Sequence, residues 1–155
     1  MTTLGMTEQA LASTDEDFRQ FLSELSNEDL SDIVEQLAID KQITTGEANV
    51  YRENFLRFIA LTKLTGKSLS PDRKGDAFWH TFIVNTRQYA EFCEKYFGAF
   101  IHHEITKRPE NNRVPAKGPL PETAELMWDN FAVVANCNNT CMADWKTKTL
   151  PENKK

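Results

Sequence analysis

Every histidine and cysteine of the chain lies after residue 79. Imidazole nitrogens and thiolate sulfurs are the side-chain donors that Zn²⁺ prefers in four-coordinate sites. A single site would need remote segments to meet, and a small helical bundle brings its chain end back onto earlier helices in this way. The clustering therefore predicts a zinc-type metal site. Its candidate ligands are His80, Cys93, His103, Cys137 and Cys141.

Three further residues are predicted to support these ligands, namely Asp76, Tyr89 and His102. Asp76 precedes His80 by four residues, so on a helix its carboxylate could hold one imidazole nitrogen and leave the other free as a ligand. The same pair could instead form a general base with its orienting carboxylate. If the helix continued past Gly98, His103 would face inward and His102 would point about 100° away, from the helical period.

The cysteines leave alternatives open. Cys93 falls on the apolar face of a predicted helix, where a thiol is commonly buried and inert, although it could also be a nucleophile or a ligand. Cys137 and Cys141 are separated by three residues, a spacing that suits two thiolates on one metal or a redox pair, and also two unpaired thiols. Three cysteines without a visible signal peptide argue against a secreted disulfide scaffold.

Apolar residues recur at helical spacing through most of the chain, and no alternating strand pattern of useful length is present. Thr44-x-x-Glu47 has the form of a capping box, and Asn85-x-x-Gln88 precedes another helical stretch. The predicted fold class is all-α, a single compact bundle of about six helices with orthogonal or irregular packing. We expect a flexible leader at 1–13, one helical domain at 14–145 with a Pro-rich loop at 106–121, and a flexible basic tail at 146–155.

Composition excludes several classes of protein. Apolar residues make up 40% and charged residues 26% of 155 residues, which is typical of a globular domain and not of a disordered chain. No apolar run approaches the roughly 20 residues that span a bilayer. Residues 1–40 hold ten acidic residues and one basic residue. The basic residues occupy mainly predicted loops and the tail, so no clustered basic face for nucleic acid is predicted.

The run from Asp76 to His103 resembles the core signature of the glycine-rich domain-containing protein-like family. The matching positions are Asp76, Trp79, His80, Tyr89, Cys93, Gly98 and His103. The chain departs from that pattern at Phe82, where some relatives have a second histidine, and it has no glycine-rich tail. The resemblance implies a small intracellular helical domain in which the His and Cys residues matter, and it implies no particular reaction.

These observations predict a non-enzymatic helical adaptor protein, cytoplasmic, with a structural His/Cys metal site and a protein partner. Two alternatives remain: an enzyme centred on Asp76, His80 and Cys93, and a redox switch formed by Cys137 and Cys141. The chain contains no phosphate-binding loop, nucleophile elbow or nucleotide fingerprint that would favour the enzyme.

Overall fold

A computed structural model describes residues 3–105, 121–133 and 141–144, and within these ranges the protein has seven α-helices and two short strands. The elements, in chain order, are α1 (Glu8–Ala12), α2 (Glu16–Ser26), α3 (Ser31–Lys41), α4 (Thr45–Thr65), α5 (Arg73–Ile83), α6 (Thr86–Phe97), β1 (His102–Ile105), α7 (Pro121–Phe131) and β2 (Cys141–Asp144). The predicted all-α class is confirmed, and the helices pack into one compact core.

The longest helix, α4, lies at the centre and contacts α2, α3, α5 and α7. It begins with the predicted capping box, in which Thr44 and Glu47 each accept a backbone N–H of the other. It ends at Gly66, whose φ of 71° is the left-handed conformation that glycine adopts without a side-chain clash. Its buried face carries the aromatic rings of Phe55 and Phe58, which pack against Trp79 of α5.

The segment predicted as a leader contains a short helix. Residues 1–13 were expected to be a flexible leader, but α1 lies within them, and Leu4 and Met6 are buried in the core. The guanidinium of Arg57 donates to the carbonyl of Leu4, and the backbone N–H of Thr7 donates to the carbonyl of Asn130 on α7. Because a helix of five residues shows little periodicity, the sequence pattern did not reveal it.

Aspartate side chains accept backbone N–H groups at the starts of two helices. Helix α2 ends at Ser26, and α3 begins at Ser31, where the Asp29 carboxylate accepts the Ser31 backbone N–H. Helix α5 begins at Arg73, after Asp72 caps it by accepting the N–H of Gly75. Pro71 lies just before this cap.

The strands β1 and β2 pair antiparallel, with His103 opposite Ala143 and Ile105 opposite Cys141. The sequence analysis predicted no strand, because four residues are too few to show an alternating pattern. The Pro-rich loop, most of the segment that contains Cys137 and the basic tail fall outside the described residues. Among the residues that the structure describes, no helix is both long enough and apolar enough to cross a membrane.

Candidate metal site

Helix α5 brings two of the polar candidates together. Asp76 and His80 are one helical turn apart, so they lie on the same face, and the His80 Nε2 is 3.4 Å from the Asp76 Oδ2. The other face of the same helix buries Phe78, Trp79 and Phe82 in the core. The apolar residues therefore fix the rotation of α5, and that rotation holds Asp76 and His80 at the molecular surface.

His103 reaches this face from a distant part of the chain. Its Nε2 is 3.0 Å from the Asp76 Oδ1, and its ring centroid is 4.3 Å from that of His80. The three residues form a group in which one ligand atom from each lies within 4.8 Å of the others. We call Asp76, His80 and His103 the Asp/His/His cluster. Such a cluster could hold a metal ion.

The backbone before His103 is held by two buried side chains of α6. Helix α6 ends at Gly98, whose φ is 67°, and the chain then turns back toward α5. The hydroxyl of Tyr89 donates to the carbonyl of Ile101 at 2.6 Å, and the N–H of Ile101 donates to the Cys93 Sγ at 3.5 Å. The N–H and the carbonyl of Ile101 thus both form hydrogen bonds with α6. Since Ile101 is two residues before His103, these bonds fix the start of β1.

Trp79 connects this anchor to the cluster. Its indole N–H donates to the Tyr89 hydroxyl at 2.9 Å, and its ring centroid lies 4.2 Å from that of His103 in an edge-to-face arrangement. The His103 side chain is only 10% exposed, whereas that of His80 is 58% exposed. The cluster therefore has a buried side, formed by His103 and Trp79, and an open side at His80.

Cys93 differs from its predicted role as a metal ligand. It is fully buried, it is not part of the Asp/His/His cluster, and its sulfur accepts the Ile101 N–H. Burial raises the pKa of the Cys93 thiol, which disfavours both a thiolate ligand and a nucleophile at neutral pH. Cys93 therefore positions the backbone before His103. The expectation of a ligand rested on residue type, whereas the apolar helix face of Cys93 also predicted a buried, inert thiol.

The remaining predicted site residues have different positions. Asp76 was expected to support His80, but its carboxylate contacts both histidines and is itself a candidate ligand. Tyr89 acts through Ile101, as described above. His102 is exposed and has its ring against that of Phe100. Cys137 lies outside the described residues, and for Cys141 the structure gives only the backbone pairing with Ile105.

A cavity of about 610 Å³ adjoins the open side of the cluster, between α5 and the end of α3. Asp76 and His80 line it together with Arg73, Lys41 and the small side chain of Ala77. The sequence analysis did not single out Arg73 or Lys41. The only signal in the sequence was that Arg73 precedes Asp76 by three residues and His80 by seven, which places all three along one helical stripe.

The fold and the site define a small all-helical protein with an Asp/His/His cluster at its surface. The chain belongs to the UCP032817-like family, because the model of that family matches residues 13–118, which is more than half of the chain. This match gives no support to the glycine-rich domain name that the signature at 76–103 suggested. No curated protein and no solved structure matches the chain.

Proposed function

We propose that this protein binds a divalent transition-metal ion, with zinc as the first candidate, through Asp76, His80 and His103. The observation that carries the proposal is the position of the Asp76 carboxylate, 3.0 Å from one histidine Nε2 and 3.4 Å from the other. The resemblance of residues 76–103 to the glycine-rich domain-containing protein-like signature agrees with this set, since all three residues belong to the matched positions.

The separations fit a common ion. Ligand atoms bonded to zinc at about 2.0–2.2 Å are themselves about 3.3–3.6 Å apart in tetrahedral geometry and about 2.8–3.1 Å apart at adjacent octahedral positions. The two contacts of Asp76, at 3.0 and 3.4 Å, are already in these ranges, although they involve different carboxylate oxygens. The three ligand atoms lie within 4.8 Å of one another, so side-chain rotations would bring them close enough to contact one ion.

The number and type of ligands favour an open site. Three protein ligands with a free position are typical of catalytic zinc sites, and two histidines with one carboxylate also suit non-haem iron(II). The exposure of His80 and the adjoining cavity leave room for water or a small ligand on the ion. An enzyme centred on this cluster, with Cys93 in a positioning role only, is therefore our first candidate function.

The second candidate is the cytoplasmic, non-enzymatic adaptor, in which a closed metal site stabilises the fold for a protein partner. It requires a fourth protein ligand. One observation favours it: the β1–β2 register sets Cys141 opposite Ile105, two positions from the residue opposite His103. Under this hypothesis Cys141, with or without Cys137, completes the coordination. A disulfide between these cysteines would be a third role, which thiol counting under oxidising and reducing conditions would reveal.

Metal binding itself is tested by titrating the untagged, metal-free protein with Zn²⁺, Co²⁺ and Fe²⁺. Replacing a ligand should weaken binding by more than about 100-fold, because loss of a supporting contact alone typically weakens it about 10- to 100-fold. We expect this for H103A and for H80A, and no change for H102A. His80 is exposed, so its variant should keep the fold as judged by circular dichroism. Equal affinities in all three variants would refute the proposal.

The two candidate roles are separated with the Co²⁺-loaded protein. A thiolate ligand gives a sulfur-to-cobalt charge-transfer band, which C141S would remove if the site were closed. An open site would lack this band, and its cobalt spectrum would change when azide is added. The variant C93S serves as the matched thiol control, since Cys93 contacts Ile101 and not the cluster.

A further inference from the structure

The cavity beside the Asp/His/His cluster is lined by two cationic side chains, Arg73 and Lys41, and by two carboxylates, Asp76 and Asp40. Arg73 and Lys41 both line it, and neither forms an ion pair with a carboxylate in the parts of the chain that the structure describes. Asp40, which is next to Lys41 on α3, accepts a hydrogen bond from the side chain of Gln36 on the same helix. The N–H groups of Arg73 and Lys41 could therefore donate hydrogen bonds to a ligand in the cavity.

The spacing along α5 aligns the groups that would contact such a ligand. Arg73, Asp76, Ala77 and His80 recur at intervals of three and four residues, which places them along one side of the helix. Arg73 and His80 are separated by seven residues, or about 10 Å of helix. Ala77 lies between them and, having only a methyl group, leaves the space above it open.

A metal ion in the cluster would make this region strongly cationic. The ion would add two positive charges to a cavity in which Arg73 and Lys41 are otherwise balanced by Asp76 and Asp40. An anion that takes the open position on the metal would also be attracted to the guanidinium, which binds carboxylates through two parallel hydrogen bonds. The volume of about 610 Å³ lies within the usual range for small-molecule sites, about 300–1,000 Å³.

We propose that this cavity binds a small dicarboxylate, with one carboxylate on the metal and the other on Arg73, while Lys41 adds charge from the opposite wall. The inference rests on the proposed metal site, because the first carboxylate needs the ion. A small dicarboxylate is then the class of ligand that the open site would bind. A ligand with a single carboxylate could satisfy only one end of the cavity.

The test uses full-length Co²⁺-loaded protein at low ionic strength, titrated with glutarate and, for comparison, with acetate. Binding is followed by calorimetry and by the cobalt spectrum. We expect glutarate to bind more tightly than acetate, and R73Q to weaken glutarate binding about five- to tenfold, as loss of a partly exposed charge-assisted contact would. The matched control is R87Q, which removes an exposed arginine near the start of α6 and should change nothing.

The outcomes distinguish the two proposals. If the protein binds no metal, both the metal site and the dicarboxylate site are refuted. If it binds Co²⁺ but glutarate binds no more tightly than acetate, or R73Q behaves like R87Q, only the dicarboxylate site is refuted. Equal binding of glutarate to the metal-free protein would likewise refute it, because the proposed contact with the ion would be absent. Retained metal affinity in R73Q with weakened glutarate binding would support it.

Discussion

The Asp76 carboxylate and the His103 imidazole contact each other at 3.0 Å across 27 residues of intervening sequence. This contact joins β1 to α5. The donor atoms of the proposed site are thus held together by the fold itself. In the metal-free protein the Asp76 carboxylate can accept a hydrogen bond from the His103 Nε2–H, and when an ion binds that contact can be exchanged for bonds to the metal.

Removing the Tyr89 hydroxyl should destabilise the protein and weaken metal binding. In Y89F, the buried indole N–H of Trp79 and the carbonyl of Ile101 would both lose a partner. An unsatisfied buried group costs about 1–3 kcal/mol, so we expect a loss of about 2 kcal/mol or more in the free energy of unfolding. Chemical denaturation would measure it, and a metal titration would show whether the changed backbone at Ile101 displaces His103.

The matched control for Y89F is Y51F. Tyr51 is half-buried on α4, and no hydrogen bond to its hydroxyl is seen from any residue that the structure describes. The Y51F variant keeps the aromatic ring at position 51, which lies under the ammonium of Lys74. Stability should change by less than about 0.5 kcal/mol, as for ordinary surface substitutions. A similar loss in both variants would contradict the role assigned to the Tyr89 hydroxyl.

The helical period was enough to predict that Asp76 and His80, two of the three residues of the Asp/His/His cluster, lie together. The four-residue spacing of Asp76 and His80 puts both on one helix face wherever the helix begins. The position of His103 could not be derived in this way. It depends on the end of α6 at Gly98 and on the backbone anchor at Ile101, both of which are set by tertiary contacts.

Cys93 shows why residue type alone was insufficient to predict the metal ligands. On a continuous helix Cys93 and His103 would share a face, and a thiol and an imidazole on one face resemble a ligand pair. The structure separates them, because the chain reverses after Gly98 and the sulfur turns to the backbone of Ile101. Short elements were also beyond the sequence pattern, since α1 and both strands have five residues or fewer.

Cys93 should resist alkylation in the folded protein. It is buried, and its raised thiol pKa keeps it protonated at neutral pH, whereas the thiolate is the reactive form. We expect iodoacetamide to leave the Cys93 peptide unmodified under native conditions and to modify it fully in denaturant, as read by mass spectrometry. Rapid modification of the native protein would show that this thiol is accessible and would reopen the nucleophile hypothesis.

Gly75 should not tolerate a methyl group. A Cβ there would lie 2.8 Å from the Asp72 Oδ1, which caps α5, and 3.4 Å from the Phe55 Cα. We expect G75A to lose about 1–3 kcal/mol of unfolding free energy through overpacking, although alanine favours helices. In G46A, by contrast, the nearest atom to the new Cβ is the Thr44 Oγ1 at 3.8 Å, so stability should rise by up to about 1 kcal/mol. Thermal or chemical denaturation of both variants tests the difference.

Asp72 should make the protein less stable as the pH rises. Burial raises the pKa of this carboxyl above its ordinary value, even though Asn54 and Gly75 donate hydrogen bonds to it. Between the unfolded pKa of about 3.9 and the higher folded pKa, the folded state binds more protons, so stability falls with increasing pH. The variant D72N lacks this titration. The stability of the wild type minus that of D72N should therefore decrease from pH 4 upward.

Asp29 provides a control of opposite sign for this pH dependence. Hydrogen bonds from the Ser31 hydroxyl and backbone N–H lower the pKa of its carboxyl in the folded state. The unfolded state then binds more protons, so the stability contributed by Asp29 is present above the unfolded pKa of about 3.9 and is lost as the pH falls. Solvent screens this exposed group, and its effect should be small. Denaturation of D72N and D29N from pH 3 to 7 should give opposite slopes relative to the wild type, and parallel slopes would contradict the assignment.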